Sequence, residues 1–163
     1  YIPAGGDIPD RALNAKFDHK LDFYEKLTAE LSRRDPKAPL AIVGDLNVAP
    51  GEADVWNHRY MSKVVSHTPV EIEAMDALHK SLGFIDLTRE AFPDPQKLAS
   101  WWSYRAQDFR QSNRGLRLDH ILVTPGLRDA AFRLGGAAVR IHDDVRAWER
   151  PSDHAPVSAD LVL

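Results

Sequence analysis

Leu40-Ala41-Ile42-Val43-Gly44-Asp45-Leu46-Asn47-Val48-Ala49-Pro50 carries the strongest local signal in the chain. Four apolar residues run without a break from Leu40 to Val43. A run that short and continuous suits a strand buried on both faces. Asp45 and Asn47 follow where the strand runs out, and Pro50 closes the stretch. Side chains at strand ends sit on a rigid support and face a cleft. Asp45 and Asn47 are two apart, so they point the same way if the strand continues through them. A carboxylate there can bind a metal ion or take a proton from water, and an amide beside it can donate to a phosphate oxygen. The plainer alternative is a turn, because Gly-Asp and Asn are common turn residues.

Upstream, Phe17, Leu21, Tyr24, Leu27 and Leu31 recur at spacings of four and three. That periodicity predicts an amphipathic helix, which Pro36 and Pro39 stop. Residues 1 to 16, with Pro3, Gly5, Gly6, Pro9 and Asn14, read as a loop leaving a strand that ends at Tyr1-Ile2. Downstream, Thr68-Pro69-Val70-Glu71 has the spacing of a capping box with proline at the first helical position. The helix behind it uses Ile72, Met75, Leu78 and Leu82, and Gly83 ends it. Phe84 to Leu87 reads as a short strand. From Ser100 onward helical periodicity fades, and Leu116 to Val123, Ala137 to Ile141 and Val157 to Leu163 read as strands. The class is mixed α and β.

Composition narrows the chemistry. Hydrophobic residues make up 44% and charged residues 28% of 163, which is ordinary for one folded domain and excludes a disordered chain. There is no cysteine, so disulfides and thiolate metal sites are excluded and any metal must be held by oxygen or imidazole. That also favours a reducing compartment. No apolar run is long enough to span a bilayer, so no membrane partner is expected, and the first residues do not form a signal peptide. A net charge of −3 does not advertise a nucleic-acid binder, though carboxylates clustered around a metal would subtract from the total and leave a local basic patch to do the binding. The chain begins at Tyr1 and its only methionines are Met61 and Met75, so it is expected to be processed or a piece of a longer protein.

Three further stretches carry candidate chemistry. Pro151-Ser152-Asp153-His154-Ala155-Pro156 pairs an acid with an imidazole ahead of the last strand. Both side chains can enter one site only in a bent segment, which the prolines allow. Otherwise it is a surface loop. Asp119 sits among Leu116, Leu118, Ile121 and Leu122, where a carboxylate is expensive unless paired; its partner is His154, His120 or Arg117. Such a carboxylate either forms a structural ion pair or orients a catalytic histidine. Finally, Trp101-Trp102-Ser103-Tyr104-Arg105 is followed by Arg110, Asn113, Arg114 and Arg117. Aromatics beside arginines can stack on sugars or bases while guanidiniums hold phosphates. Alternation sends the two tryptophans to opposite faces, so one belongs to the core.

Taken in order, Tyr1-Ile2-Pro3-Ala4-Gly5, Gly44-Asp45-Leu46-Asn47-Val48-Ala49-Pro50, Trp101-Trp102-Ser103-Tyr104-Arg105, Asn113-Arg114-Gly115-Leu116-Arg117-Leu118-Asp119-His120 and Pro151-Ser152-Asp153-His154-Ala155-Pro156-Val157 resemble the exodeoxyribonuclease III family, within the endonuclease/exonuclease/phosphatase superfamily. The resemblance covers essentially the whole chain. It implies an α/β fold: half of a four-layer sandwich with a mixed, largely antiparallel sheet and flanking helices, residues 1–163 being the C-terminal portion of a single domain whose N-terminal half is absent. The activity it implies is Mg²⁺-dependent cleavage of duplex DNA, as a 3′→5′ exonuclease and an abasic-site endonuclease, with Mn²⁺ as the alternative metal. It implies that Asp45 positions or deprotonates the attacking water. Asn47 would bond the phosphate or that water, and His154 would contact the scissile phosphate with Asp119 orienting its ring. Tyr1 would touch the phosphate. Asp45, Asn47, Asp153 and His154 would lie at the metal. Trp101, Leu116 and Leu118 would form an apolar pocket for a sugar without its base, with Arg105, Asn113 and Arg114 on the backbone beside it.

The family's metal-holding glutamate comes from the half upstream of the Tyr-x-Pro motif, and nothing here replaces it. The resemblance therefore implies that these residues alone are inactive or nearly so and that one apolar face of the sheet is uncovered unless the missing half, or another chain, packs on it. The expected partners are double-stranded DNA with abasic sites or 3′ ends, and that missing half. The expected location is the bacterial cytoplasm, at the nucleoid. The competing readings are a phosphoesterase of another superfamily branch and a non-catalytic DNA-binding fragment.

Overall fold

Asn14 opens the first helix: its side chain accepts from the Lys16 N–H at 3.0 Å, and α1 (Ala15–Leu31) follows. The computed structural model describes residues 1–105, 108–133 and 138–162. After α1 come β1 (Ala41–Asp45), the one-turn helix α2 (His58–Met61) and α3 (Pro69–Leu82). Thr68 and Glu71 close the reciprocal cap expected at the start of α3, and Gly83 ends it at φ 65°. Then follow β2 (Ile85–Asp86), α4 (Leu87–Ala91), α5 (Phe109–Ser112), β3 (Asp119–Val123), α6 (Pro125–Phe132), β4 (Val139–Ile141) and β5 (Val157–Ala159).

The strands form two antiparallel sheets, β1-β3-β2 and β4-β5. Helices α1 and α3 cover one face of the larger sheet, where Tyr24, Leu46, Met75, Leu78 and Leu122 pack together. On the other face Leu87, Ile121, Val123, Ala131 and Val139 join α4, α6 and β4 to the sheet. This cover is incomplete. Val43 is 63% exposed, and an apolar cleft of about 580 Å³, lined by Val43, Ile121, Val157 and Leu161 among others, opens between the two sheets.

Several expectations change here. β1 is an outer strand, not one buried on both faces, because nothing described packs over Val43. The expected strand from Leu116 is shorter: regular pairing starts at Asp119, while Leu116 makes only isolated bridges to Val55 and Trp101. Leu87 starts a helix instead of ending a strand, because the Asp86 carboxylate accepts from the Thr88 and Arg89 N–H groups. The last two strands are trimmed to Val139–Ile141 and Val157–Ala159; Ala137 and Leu163 lie outside the described residues. Helix α6 breaks the trend expected after Ser100, with Thr124 as its cap and Pro125 at its first turn.

Two buried charge clusters lock these layers. Lys20 lies wholly buried on the core side of α1. Its ammonium donates to Glu71 at 2.5 Å and to the Asn47 carbonyl at 2.7 Å. Glu71 in turn accepts from the Ser66 and Thr68 N–H groups. Burial lowers the Lys20 pKa against the pull of Glu71. Arg117, 1% exposed, grips both oxygens of Asp54 at 2.6 and 2.9 Å and reaches Asp86 at 2.5 Å. Burial disfavours ionised Asp86, yet Arg117 and His120 hold its carboxyl far below the usual range. Arg117 is therefore a structural cation, neither the partner of Asp119 nor a guanidinium free to hold a phosphate.

Breaking a buried pair from one side leaves the other charge stranded. Glu71→Gln should lower the unfolding free energy by about 3 kcal/mol in urea titrations, whereas Glu30→Gln, which breaks only a surface pair, should change it by less than about 0.5 kcal/mol.

Candidate active site

The register of β1 against β3 sets Asp45 directly opposite Asp119. Both carboxylates stand on one face of the sheet at one end of it. The bent segment before β5 brings His154 to the same place. Its Nδ1 donates to Asp119 Oδ2 at 2.8 Å, and its Nε2 faces Asp45 Oδ2 at 3.8 Å. Of the three partners open for Asp119 from sequence, the structure selects His154; His120 donates from Nε2 to the Val48 carbonyl at 2.8 Å, on the other side of the sheet.

Asn47 reaches Asp45 by a different route from the one expected. The strand ends at Asp45, and Asn47 takes up φ 54°. That left-handed turn ends the alternation, so shared strand parity does not align the two side chains. The amide instead folds back: Nδ2 donates to Asp45 Oδ2 and to the Ile2 carbonyl, each at 2.8 Å, and the Asn47 N–H donates to Asp45 Oδ1 at 2.8 Å. The Asn47 amide oxygen accepts no hydrogen bond among the described residues.

Two residues that sequence reasoning missed hold this cluster in place. Ser100 is wholly buried. Its hydroxyl donates to Asp119 Oδ2 at 2.6 Å and accepts from the Leu118 and Asp119 N–H groups at 3.0 Å each. Nothing in the sequence marks this serine apart from its place beside Trp101. Lys20, through the Asn47 carbonyl, fixes the turn that carries Asn47. Its signal was present, since it lies three residues after Phe17 on the face that buries Leu21 and Tyr24.

The other candidates divide. Trp101 donates from its indole N–H to Asp153 Oδ2 at 3.0 Å, which ties the aromatic stretch to the acid beside His154. Leu116 and Leu118 are buried in one cluster, and Trp101 packs against it. Trp102 goes to the opposite side and stacks edge-on against Phe109 in the core. Tyr1 is 81% exposed and its hydroxyl makes no hydrogen bond among the described residues, although the neighbouring Ile2 N–H is anchored to the Asp45 carbonyl at 2.9 Å. Arg105, Asn113 and Arg114 are exposed and make no hydrogen bond to the cluster.

Burial pushes the Asp45 carboxyl up, and the nearby Asp119 adds to this, while the Asn47 N–H and His154 oppose it. The hydrogen bond that His154 donates to Asp119 raises the His154 pKa against its own partial burial. The site thus pairs a carboxylate primed to take a proton with an imidazole that favours its charged form. Asp45, Asp119 and His154 offer ligand atoms within 4.8 Å of one another. Asp153 is not in that group. Two facing carboxylates and the free Asn47 amide oxygen make a donor set that fits a hard divalent cation, and such an ion would relieve the repulsion across the pair.

Comparison with known proteins identifies relatives of the whole chain. The profile of the Endonuclease/Exonuclease/phosphatase family matches residues 9–154. An exodeoxyribonuclease III from Haemophilus influenzae is 35% identical over 168 residues; the alignment takes in 99% of this chain and 59% of the relative. An AP endonuclease from Archaeoglobus fulgidus superposes with a TM-score of 0.88 at 27% identity, over 100% of this chain and 60% of the other. A 3′ phosphatase from Neisseria, solved with a product DNA hairpin, gives 0.79 at 31% identity, over 99% and 58%. The chain thus spans less than two thirds of each of these proteins.

The Asp119–His154 bond makes a titration prediction. The stability it contributes is full below the ordinary histidine range and is lost as pH rises through the raised folded value. NMR titration of the metal-free chain should find His154 titrating above an unperturbed histidine. Asp119→Asn should bring it back down; an unchanged His154 would show that Asp119 does not hold its proton.

Proposed function

The chain belongs to the endonuclease/exonuclease/phosphatase family, and on that premise we propose that it is the C-terminal part of a DNA-repair phosphodiesterase of the exodeoxyribonuclease III type. Its substrate is duplex DNA with abasic sites or 3′ ends. The observation that carries the proposal is the meeting of Asp45, Asn47, Asp119 and His154 at one end of the β1–β3 ladder.

In this reading Asp45 takes a proton from water as its oxygen attacks phosphorus. A carboxyl lifted above the usual range is the better base for that task. His154, kept protonated by Asp119, donates from Nε2 to a non-bridging oxygen and stabilises the charge that builds there. Asn47 orients the water or the phosphate from its fixed turn, and Tyr1 contacts the phosphate. The P–O3′ bond breaks and the 3′ oxygen leaves. Asp45 and the Asn47 amide oxygen would hold Mg²⁺, or Mn²⁺, with Asp119 and His154 beside it; when bound, the cation would offset charge on the phosphate and the departing oxygen. Trp101, Leu116 and Leu118 form the apolar side on which a sugar lacking its base rests.

The N-terminal half of the same protein completes the site with a metal-holding glutamate and covers Val43 and the apolar cleft. Support for this comes from the exposure of Val43 and from the share of the relatives that the chain spans. The protein works where its DNA lies, in the bacterial cytoplasm.

Incision of an abasic duplex with Mg²⁺ tests the proposal. In the full-length protein Asp45→Asn and His154→Ala should each cut the rate by about 10²–10⁴, with folding retained. Residues 1–163 alone should cleave little or nothing, and adding the upstream half should restore activity. EDTA should abolish it. Robust incision by the isolated piece, or by the Asp45→Asn protein, would overturn the assignment.

A further inference from the structure

A backbone row leads away from His154. Isolated antiparallel bridges join His154 to Trp101, Trp101 to Leu116, and Leu116 to Val55. Neighbouring strands are spaced about 4.8 Å apart, so this row carries the surface roughly 14 Å from the histidine. At its far end stands a second aromatic group. Trp56 and Tyr60 have ring centroids 5.3 Å apart at 40°. The Arg114 guanidinium lies 4.9 Å over the Trp56 ring, and Lys97 holds the Trp56 carbonyl at 3.1 Å. Trp56 and Trp101 both pack on the cluster containing Val55, Met61 and Leu116, so one apolar floor supports both tryptophans.

Beside this pair lies a shallow groove of about 390 Å³, lined by Asn57, Arg59, Tyr60, Lys63 and Val64. Tyr60 is 60% exposed, with its ring on that groove. Arg59, Lys63 and Arg114 have no carboxylate partner among the described residues, although the chain is acidic overall. An exposed aromatic flanked by unpaired cations fits a base on its ring with phosphates on either side. A carboxylate-rich peptide would satisfy the cations but would make no use of the ring.

We infer that Trp56, Tyr60, Arg59, Lys63 and Arg114 form a stacking platform for unpaired nucleotides of the strand whose phosphate lies at His154. The site would then take DNA that is partly single-stranded, such as a frayed or gapped end, and would hold the unpaired stretch while the duplex lies against Trp101. This rests on the phosphodiesterase reading for its substrate and adds a subsite to it.

Fluorescence anisotropy in EDTA separates the two, because binding is read without turnover. The probes are a labelled oligothymidylate and a labelled blunt duplex, added to the full-length protein. Tyr60→Ala should weaken oligothymidylate binding about tenfold and the blunt duplex less than about twofold, while Tyr60→Phe retains both. Replacing Arg59 and Lys63 with glutamine should flatten the salt dependence for the oligothymidylate by about 1.4, the value for two phosphates on a single strand. Arg114→Ala, which removes the guanidinium over Trp56 and leaves the Tyr60 ring unaltered, should also weaken oligothymidylate binding. Oligothymidylate affinity indifferent to Tyr60→Ala and Arg114→Ala, or an equal loss on the blunt duplex, would overturn the inference. A tenfold loss at Tyr60 together with unimpaired incision by Asp45→Asn would overturn the hydrolase reading and leave the platform standing.

Discussion

Two carboxylates face each other across a pair of hydrogen-bonded strands, and much of the molecule answers that repulsion. Like charges placed directly opposite in a sheet are destabilising, yet the β1–β3 register puts Asp45 against Asp119. Each acid is held by its own partners. Asp119 has Ser100 and His154, and Asp45 has the main chain and side chain of Asn47. A slip of one residue in either strand would turn its carboxylate to the α1–α3 face, so the apolar pattern of Ile42 and Leu122 against Ile121 and Val123 fixes the chemistry as firmly as it fixes the core.

Behind this pair stand two buried cations with different tasks. Lys20 joins α1, the Asn47 turn and the cap of α3 through three acceptors, so the carboxylate-bearing loop is anchored to both helices. Arg117 joins β3 to the Asp54 turn and to Asp86 at the start of α4. Lys20 touches the cluster only at the Asn47 carbonyl, and Arg117 makes no hydrogen bond to it among the described residues. Both keep its supports from moving, and a site whose donors must sit within tenths of an ångström of their targets requires that rigidity. The Trp101–Asp153 hydrogen bond extends the same framework to the side where Trp101 packs on Leu116 and Leu118.

Much of this was legible before the structure. Asp45 and Asn47 stand where an apolar run stops, Asp153 and His154 lie just ahead of the last strand, and a polar residue at a strand's end is a strong local cue. Both long helices announced themselves by periodicity and caps. What the sequence hid were partnerships across long intervals. Ser100 meets Asp119 across 19 positions, and a serine beside a tryptophan has no pattern of its own. Lys20 was passed over because a charge on an apolar face looks like an interruption until its acceptors, Asn47 and Glu71, are seen. Short helices such as α4 and α6 are too brief for periodicity and are set by caps alone. The run from Leu40 to Val43 looked fully enclosed because hydropathy reports preference for burial and says nothing of what is there to do the burying.

The outer rim of β1 extends this last point. Between Ala41 and Gly44 the side of the strand turned away from β3 has no backbone partner among the described residues, and Val43 lies open beside it. Free N–H and C=O groups next to exposed valine are a template for strand addition. Extended segments can pair along such a rim, so whatever lies over it also guards the fold against edge-to-edge association.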